Sequence, residues 1–182
     1  MRELSLHILD IIQNSIVAGA TRIEISVEGD TTANRLTITI TDNGKGMDAE
    51  LLRKVRDPFT TSRTTRRVGL GIPMLAAASE SCGGHLEIDS APGKGAKIIA
   101  VFILDHIDRA PMGDITGTMI SVIAANPDIS FKFQQSMDDS QFILDTDVIH
   151  AQLEDVPLSD PAVIRWMKGY ISEGVASLSK SL

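Results

Sequence analysis

The stretch TDNGKGMD, residues 41–48, decides how this chain is read. Asp42 closes the alternating run RLTITITD (35–42), and Gly44 and Gly46 follow at alternate positions. Glycine lets the backbone turn sharply and lets a ligand come close. A carboxylate buried at a strand end can accept a hydrogen bond from an exocyclic amine. An ordinary Asn-Gly turn would satisfy the same letters, so the flanking sequence has to choose. Upstream, RIEISVEG (22–29) points Ile23, Ile25 and Val27 one way and Glu24, Ser26 and Glu28 the other. With Leu36, Ile38 and Ile40, this predicts two strands, each wet on one face, joined by a polar turn at Asp30–Asn34.

Further upstream, Leu4, Ile8, Ile11, Ile12 and Ser15 follow helical spacing, predicting an amphipathic helix over 2–17 that stops at Gly19. Asp10 and Asn14 stand at i and i+4 and share a face, with His7 one turn earlier. An amide oxygen and a carboxylate so placed can hold Mg²⁺ while substrate phosphates fill its shell. The carboxylate can also orient or deprotonate a water. An incidental polar stripe is the plainer alternative, and His7 reads as a packed residue or a partner of Asp10.

Downstream, residues 48–55 suggest a short helix, and RDPFTTSRTTRRVG (56–69) has no period and reads as a long loop. GLGIPMLAAASESCGG (69–84) is a helix opened by glycines and closed by Gly83–Gly84. Backbone N–H groups at a helix start bind anions. Arg63, Arg66 and Arg67 just ahead of it make a local phosphate trap in a chain of formal charge −7. HLEIDSAPGKGAKIIAVFIL (85–104) reads as a second strand pair around a glycine-rich turn. Residues 1–104 therefore predict an α/β two-layer sandwich, helices covering the apolar face of the strands.

Residues 105–182 read differently. A helix ending before Pro127, a hairpin from ISFKFQQ and SQFILDT, a short helix and a final helix with Val163, Trp166, Met167, Tyr170 and Ile171 on one stripe predict a small α+β accessory unit. Trp166 and Met167 are expected in its core. The acidic balance argues against nucleic acid as a partner. No apolar run nears the length of a membrane span, the N-terminus does not read as a signal peptide, and the single cysteine, Cys82, fits a reducing cytoplasm as a small buried hydrophobe. His85, His106 and His150 lack ligand spacing, so no zinc site is expected.

A helix with D-x-x-x-N, a strand ending D-N-G-K-G, a loop with P-F-T-T, then G-L-G-I-P and a hairpin with G-K-G, in that order over residues 4–104, resembles the Bergerat-fold (GHKL) ATPases: gyrase, the ninety-kilodalton heat-shock chaperone, histidine kinases and MutL. DPFTTSR ahead of GLGIP looks most like histidine-kinase catalytic domains, and NSIVAGA like the MutL type. The resemblance implies ATP and Mg²⁺ as ligands. Asn14 would coordinate the metal and Asp42 would bind the adenine amino group. Gly44, Gly46 and Met47 would shape the base pocket. Residues 55–68 would form a lid, with Thr60, Thr61, Arg63, Arg66 and Arg67 on the nucleotide, and Gly69, Leu70 and Gly71 would contact phosphates.

Two residues depart from that pattern. The water-activating glutamate of hydrolytic members falls on Asp10, one methylene shorter, which leaves hydrolysis open. The usual threonine after the hairpin glycine is Ala96. About six residues precede the first motif helix, too few for a helical dimerisation and phosphoacceptor domain. The expectation is thus a stand-alone kinase or ATPase, similar to anti-sigma serine kinases, acting on a regulatory partner protein, with Asp10 as the catalytic residue. A non-catalytic ATP-gated module is the alternative. Chains of this fold often pair, so a homodimer is also on the table.

Overall fold

The computed structural model describes residues 3–56 and 70–179. Twelve elements follow in chain order: α1 Leu4–Val17, β1 Arg22–Asp30, β2 Arg35–Asp42, α2 Ala49–Arg56, α3 Gly71–Ser81, β3 His85–Ser90, β4 Ala96–Ile103, α4 Ile115–Ala125, β5 Ser130–Met137, β6 Ser140–Asp145, α5 Thr146–Leu153 and α6 Pro161–Ser179. The strands make one mixed sheet in the order β3-β4-β2-β1-β5-β6. Every pairing is antiparallel except β1 with β5.

The alternation read from the sequence sets which face is buried. Ile88, Ile98, Ile40, Ile25, Phe133 and Leu144 are successive cross-strand partners, so one buried apolar row crosses all six strands. Helices α1, α3, α4 and α6 supply its cover through Ile8, Ile12, Leu75, Met119 and Met167. This is the expected α/β sandwich. The helix, hairpin and two further helices expected after residue 104 are present, and their strands continue the same sheet. Cys82 is buried among apolar neighbours, as expected.

Two expectations need correcting. The helix expected before Pro127, read over RAPMGDITGTMISVIAANP (109–127), begins only at Ile115, because Pro111 and a left-handed Gly113 (φ 74°) interrupt the preceding segment. That segment has its own task. The carbonyls of Pro111 and Met112 accept from the N–H groups of Leu4 and Ser5, donors left orphaned at the start of α1. Asp114 then caps α4, accepting from Gly117 N at 2.8 Å. The second correction concerns Trp166, which is 52% exposed, whereas Met167 is fully buried. Tyr170 accompanies it outside, because α6 buries only the Val163–Met167–Ile171 side of its stripe against the sheet.

Candidate functional site

The site grows from three tight turns that meet at the end of β2. Gly19, at φ 76°, ends α1 and returns the chain into β1. The Asp42–Gly46 segment packs against this corner. The side-chain oxygen of Asn43 accepts from the backbone N–H groups of Thr21 and Arg22, both at 2.9 Å, and Lys45 N donates to the Ala18 carbonyl at 3.0 Å. The third turn, between β3 and β4, closes from the other side. Ser90 Oγ accepts from Met47 N at 2.9 Å and donates to the Gly95 carbonyl at 2.7 Å, while Gly93 N donates to the Lys45 carbonyl at 2.7 Å. A side chain at Gly46 would fall on the Ala91 carbonyl, and one at Gly95 on the Asp42 carbonyl. These glycines permit the two loops to touch. The Asn-Gly pair therefore does not form a hairpin turn; it forms a wall.

Behind the turns lies a cavity of about 240 Å³. An apolar cavity of roughly 150 Å³ accommodates a benzene ring, so this one has room for a two-ring base. Its walls are mostly apolar, with Ile11 from α1, Ala18 just past its end, Met47 and Leu51 around α2, Ile72 from α3 and Ile98 from β4. The polar lining is sparse: Asn14, Ser15, Asp42 and Lys45. Asp42 is held at both oxygens. Ser15 Oγ donates to Oδ2 at 2.6 Å and Gly44 N donates to Oδ1 at 2.9 Å. Charge-assisted bonds of this kind fix a carboxylate in place, and each oxygen keeps a lone pair for a ligand donor. Ala96 stands directly across from Asp42 on β4 and lines the same cavity, offering only a methyl group.

Asp10 and Asn14 lie where α1 meets the start of α3. A methyl placed on Gly71 would sit 2.9 Å from Asp10 Cβ, 3.6 Å from Asp10 Oδ2 and 3.7 Å from Asn14 Nδ2. Two oxygen-bearing side chains thus face the positive end of a helix dipole. Asn14 reaches the cavity, whereas Asp10 stands beside it, outside the lining. Among the described residues no group of three or more His, Cys, Asp or Glu could cage a metal. An amide and a nearby carboxylate suit Mg²⁺, which keeps several waters and takes substrate phosphates as its remaining ligands, and the helix N-terminus suits those phosphates.

The structure thus places Asn14, Asp42, Gly46 and Met47 in the cavity lining, Gly44 on the Asp42 carboxylate, and Gly71 against Asp10 and Asn14 beside the cavity, with Leu70 capping the same helix start. Thr60, Thr61, Arg63, Arg66, Arg67 and Gly69, and with them most of the expected lid, lie outside the described residues. His7 does not line the cavity. It is buried, 2% exposed, with Nδ1 unpartnered. Burial pushes its pKa down, opposed by the Asp10 carboxylate one turn on. Sequence reasoning missed Ser15 and Lys45. Ser15 carried a signal: a hydroxyl on the apolar stripe of α1 must find a buried partner.

Comparison with known proteins gives the same answer as the geometry. The family model described as "Histidine kinase-, DNA gyrase B-, and HSP90-like ATPase" matches residues 2–106. The chain belongs to this family. Membership supports ATP binding by this chain. The sensor protein kinase FleS of Pseudomonas aeruginosa is 33% identical over 108 residues, which span 59% of this chain and 26% of that one. Sporulation kinase C of Bacillus subtilis is 30% identical over 94 residues, 52% of this chain and 22% of that one. The match therefore covers about a quarter of the length of these curated relatives. Among solved structures, the Aquifex aeolicus MutL ATPase domain complexed with ADP superposes with a TM-score of 0.50 at 13% identity, covering 74% of this chain and 60% of that one. The N-terminal domain of a DNA repair protein reaches 0.55 at 14%, covering 80% and 53%. These two likenesses are likenesses of fold. Among the described residues no helix is long and apolar enough to cross a membrane.

Proposed function

We propose that this chain binds Mg-ATP and acts as a protein kinase or ATPase on a regulatory partner protein. The observation that carries the reading is the held carboxylate of Asp42 at the end of an apolar, base-sized cavity, with Asn14 at its mouth. Asp42 accepts from the adenine amino group, Gly44 and Gly46 let the backbone close over the ring, and Met47 covers it. Asn14, with Asp10 near, would hold Mg²⁺, which neutralises phosphate charge when bound. The start of α3 at Leu70 and Gly71 presents backbone N–H groups to the phosphates. Asp10 orients the nucleophile, a water or a partner's hydroxyl, and takes its proton. In this reading Thr60, Thr61 and the three arginines of residues 57–69, with Gly69, complete the phosphate site, and the protein works in the cytoplasm.

One observation favours the second reading, ATP binding without turnover: Asp10 lies against Gly71 outside the cavity wall. Titration calorimetry with ATP, with and without Mg²⁺, followed by product analysis, tests both. Saturable, Mg²⁺-strengthened binding with slow ADP release is expected. Asp10→Asn should bind ATP within about twofold of the parent yet lose turnover by roughly 10²–10⁴-fold. Equal rates for the two proteins would reject Asp10 as the base, absence of turnover in the parent would move the chain to the regulatory reading, and absence of ATP binding would reject both.

A further inference from the structure

The only tryptophan and the only tyrosine of this chain stand together on its surface, away from the nucleotide cavity. Trp166 and Tyr170 stack on α6 with centroids 5.3 Å apart and planes at 8°. They border a groove whose floor is the end of β6 and whose far wall is α5. Ile143 and Val148, themselves 39% and 57% exposed, line it too. Scattered exposed apolar residues mean little, but a contiguous apolar patch rich in aromatics marks an interaction site.

The groove's setting says what fits it. β6 is an edge of the sheet. Tyr170 donates weakly to the Ile143 carbonyl at 3.4 Å, which shows that Ile143 turns its backbone groups away from β5. In an antiparallel pair alternate residues do so, so Gln141 shares this outward direction. An edge strand whose alternate backbone groups face outward beside an aromatic groove receives an extended segment, main chain to main chain with apolar side chains in the groove, the weak Tyr170 bond giving way.

The charges select among extended segments. Where β6 begins, Glu28, Asp30, Asp138 and Asp139 line a pocket in which Arg35 is the one cation among the described residues. Where it ends, Glu24, Asp145 and Asp147 face Arg22, with Lys132 opposite Asp145. Both ends are net acidic. On α6, Arg165 and Lys168 occupy the stripe next to Trp166 and Tyr170, and Glu173 continues the aromatic stripe itself. A second copy pairing its own β6 antiparallel here would set acidic end against acidic end twice. We propose that the β6–α5–α6 groove docks an extended segment of another protein, with an apolar centre and basic residues at both flanks.

The test uses the full chain and two dansyl-labelled peptides, Lys-Val-Thr-Leu-Thr-Val-Lys and its twin with Glu at both ends, read by fluorescence anisotropy. The basic peptide should saturate with a dissociation constant under about 1 mM. It should weaken as salt is raised and bind at least about tenfold more tightly than the acidic twin. Trp166→Ala should cost roughly tenfold while leaving ATP binding unchanged. Val148→Lys, at an exposed position, gives an independent reading should the tryptophan variant lose stability. Equal binding of the two peptides, no saturable binding, or indifference to both substitutions would overturn the proposal. So would a concentration-dependent dimer of the parent that either substitution dissolves.

Discussion

Replacing Asp42 by Asn separates recognition of the base from everything else the cavity does. The carboxylate accepts from Ser15 Oγ at 2.6 Å and from Gly44 N at 2.9 Å. Asn keeps the shape and one acceptor oxygen, which Gly44 can hold. The other position becomes an NH₂ group, which donates where a donor is already expected from the ligand. Losing a hydrogen bond to a charged acceptor costs about 1.5–3 kcal/mol, so ATP affinity should fall by roughly 10–150-fold. The Ser15 hydroxyl can rotate to accept from the new amide, so stability should drop by only about 1 kcal/mol. The sharper expectation concerns GTP. Guanine presents a carbonyl where adenine presents an amine; a carboxylate repels it and an amide can donate to it. Displacement of a fluorescent ATP analogue by ATP and by GTP, on parent and variant, measures both. The parent should prefer ATP strongly, and Asp42→Asn should narrow or invert that preference. A variant that binds ATP within about twofold of the parent, with unchanged preference, would refute the assignment of Asp42 to the base.

Gly46→Ala should destabilise the fold by roughly 2 kcal/mol, because its φ is 68° and its methyl would land on the Ala91 carbonyl; thermal unfolding should record a fall of roughly 4–8 °C. Gly71→Val should weaken ATP by about tenfold, worth about 1.4 kcal/mol, and leave adenosine within about twofold, because the added bulk meets Asp10 and Asn14 and not the base cavity; calorimetry with the two ligands checks the split. His7 is buried with its pKa lowered, so below its ordinary value of about 6.5 the unfolded chain binds the proton more readily. Its stabilising contribution is complete above that pH and is lost as pH falls towards the folded-state pKa. Denaturant titrations of His7→Leu between pH 7 and pH 5 should therefore show a shallower loss of stability than the parent; parallel curves would count against this role.

Much of the architecture was legible because period-2 and period-3.6 patterns leave local traces. The strands β1, β2 and β4, the face of α1 and the glycine turns were read from consecutive residues. The parallel pairing of β5 with β1 left no such trace. Ile25 and Phe133 are partners separated by more than a hundred residues, and nothing in either segment names the other. Trp166 was misplaced because helical spacing finds a stripe without saying how much of it the sheet can cover. Ser15 was passed over as a small residue on an apolar face, although its hydroxyl is one of the two groups that hold Asp42. The start of α4 was set by Pro111 and Gly113, whose breaking effect outweighed the apolar run that follows them.

The central claim is that an adenine nucleotide lies in the cavity between α1, the Asp42–Gly46 turn and the start of α3. A crystal structure with a non-hydrolysable ATP analogue and Mg²⁺ tests it most directly. The account predicts the base amine within hydrogen-bond distance of Asp42, and the phosphates between Asn14 and Gly71. Density for the analogue elsewhere, or a base turned away from Asp42, would contradict it.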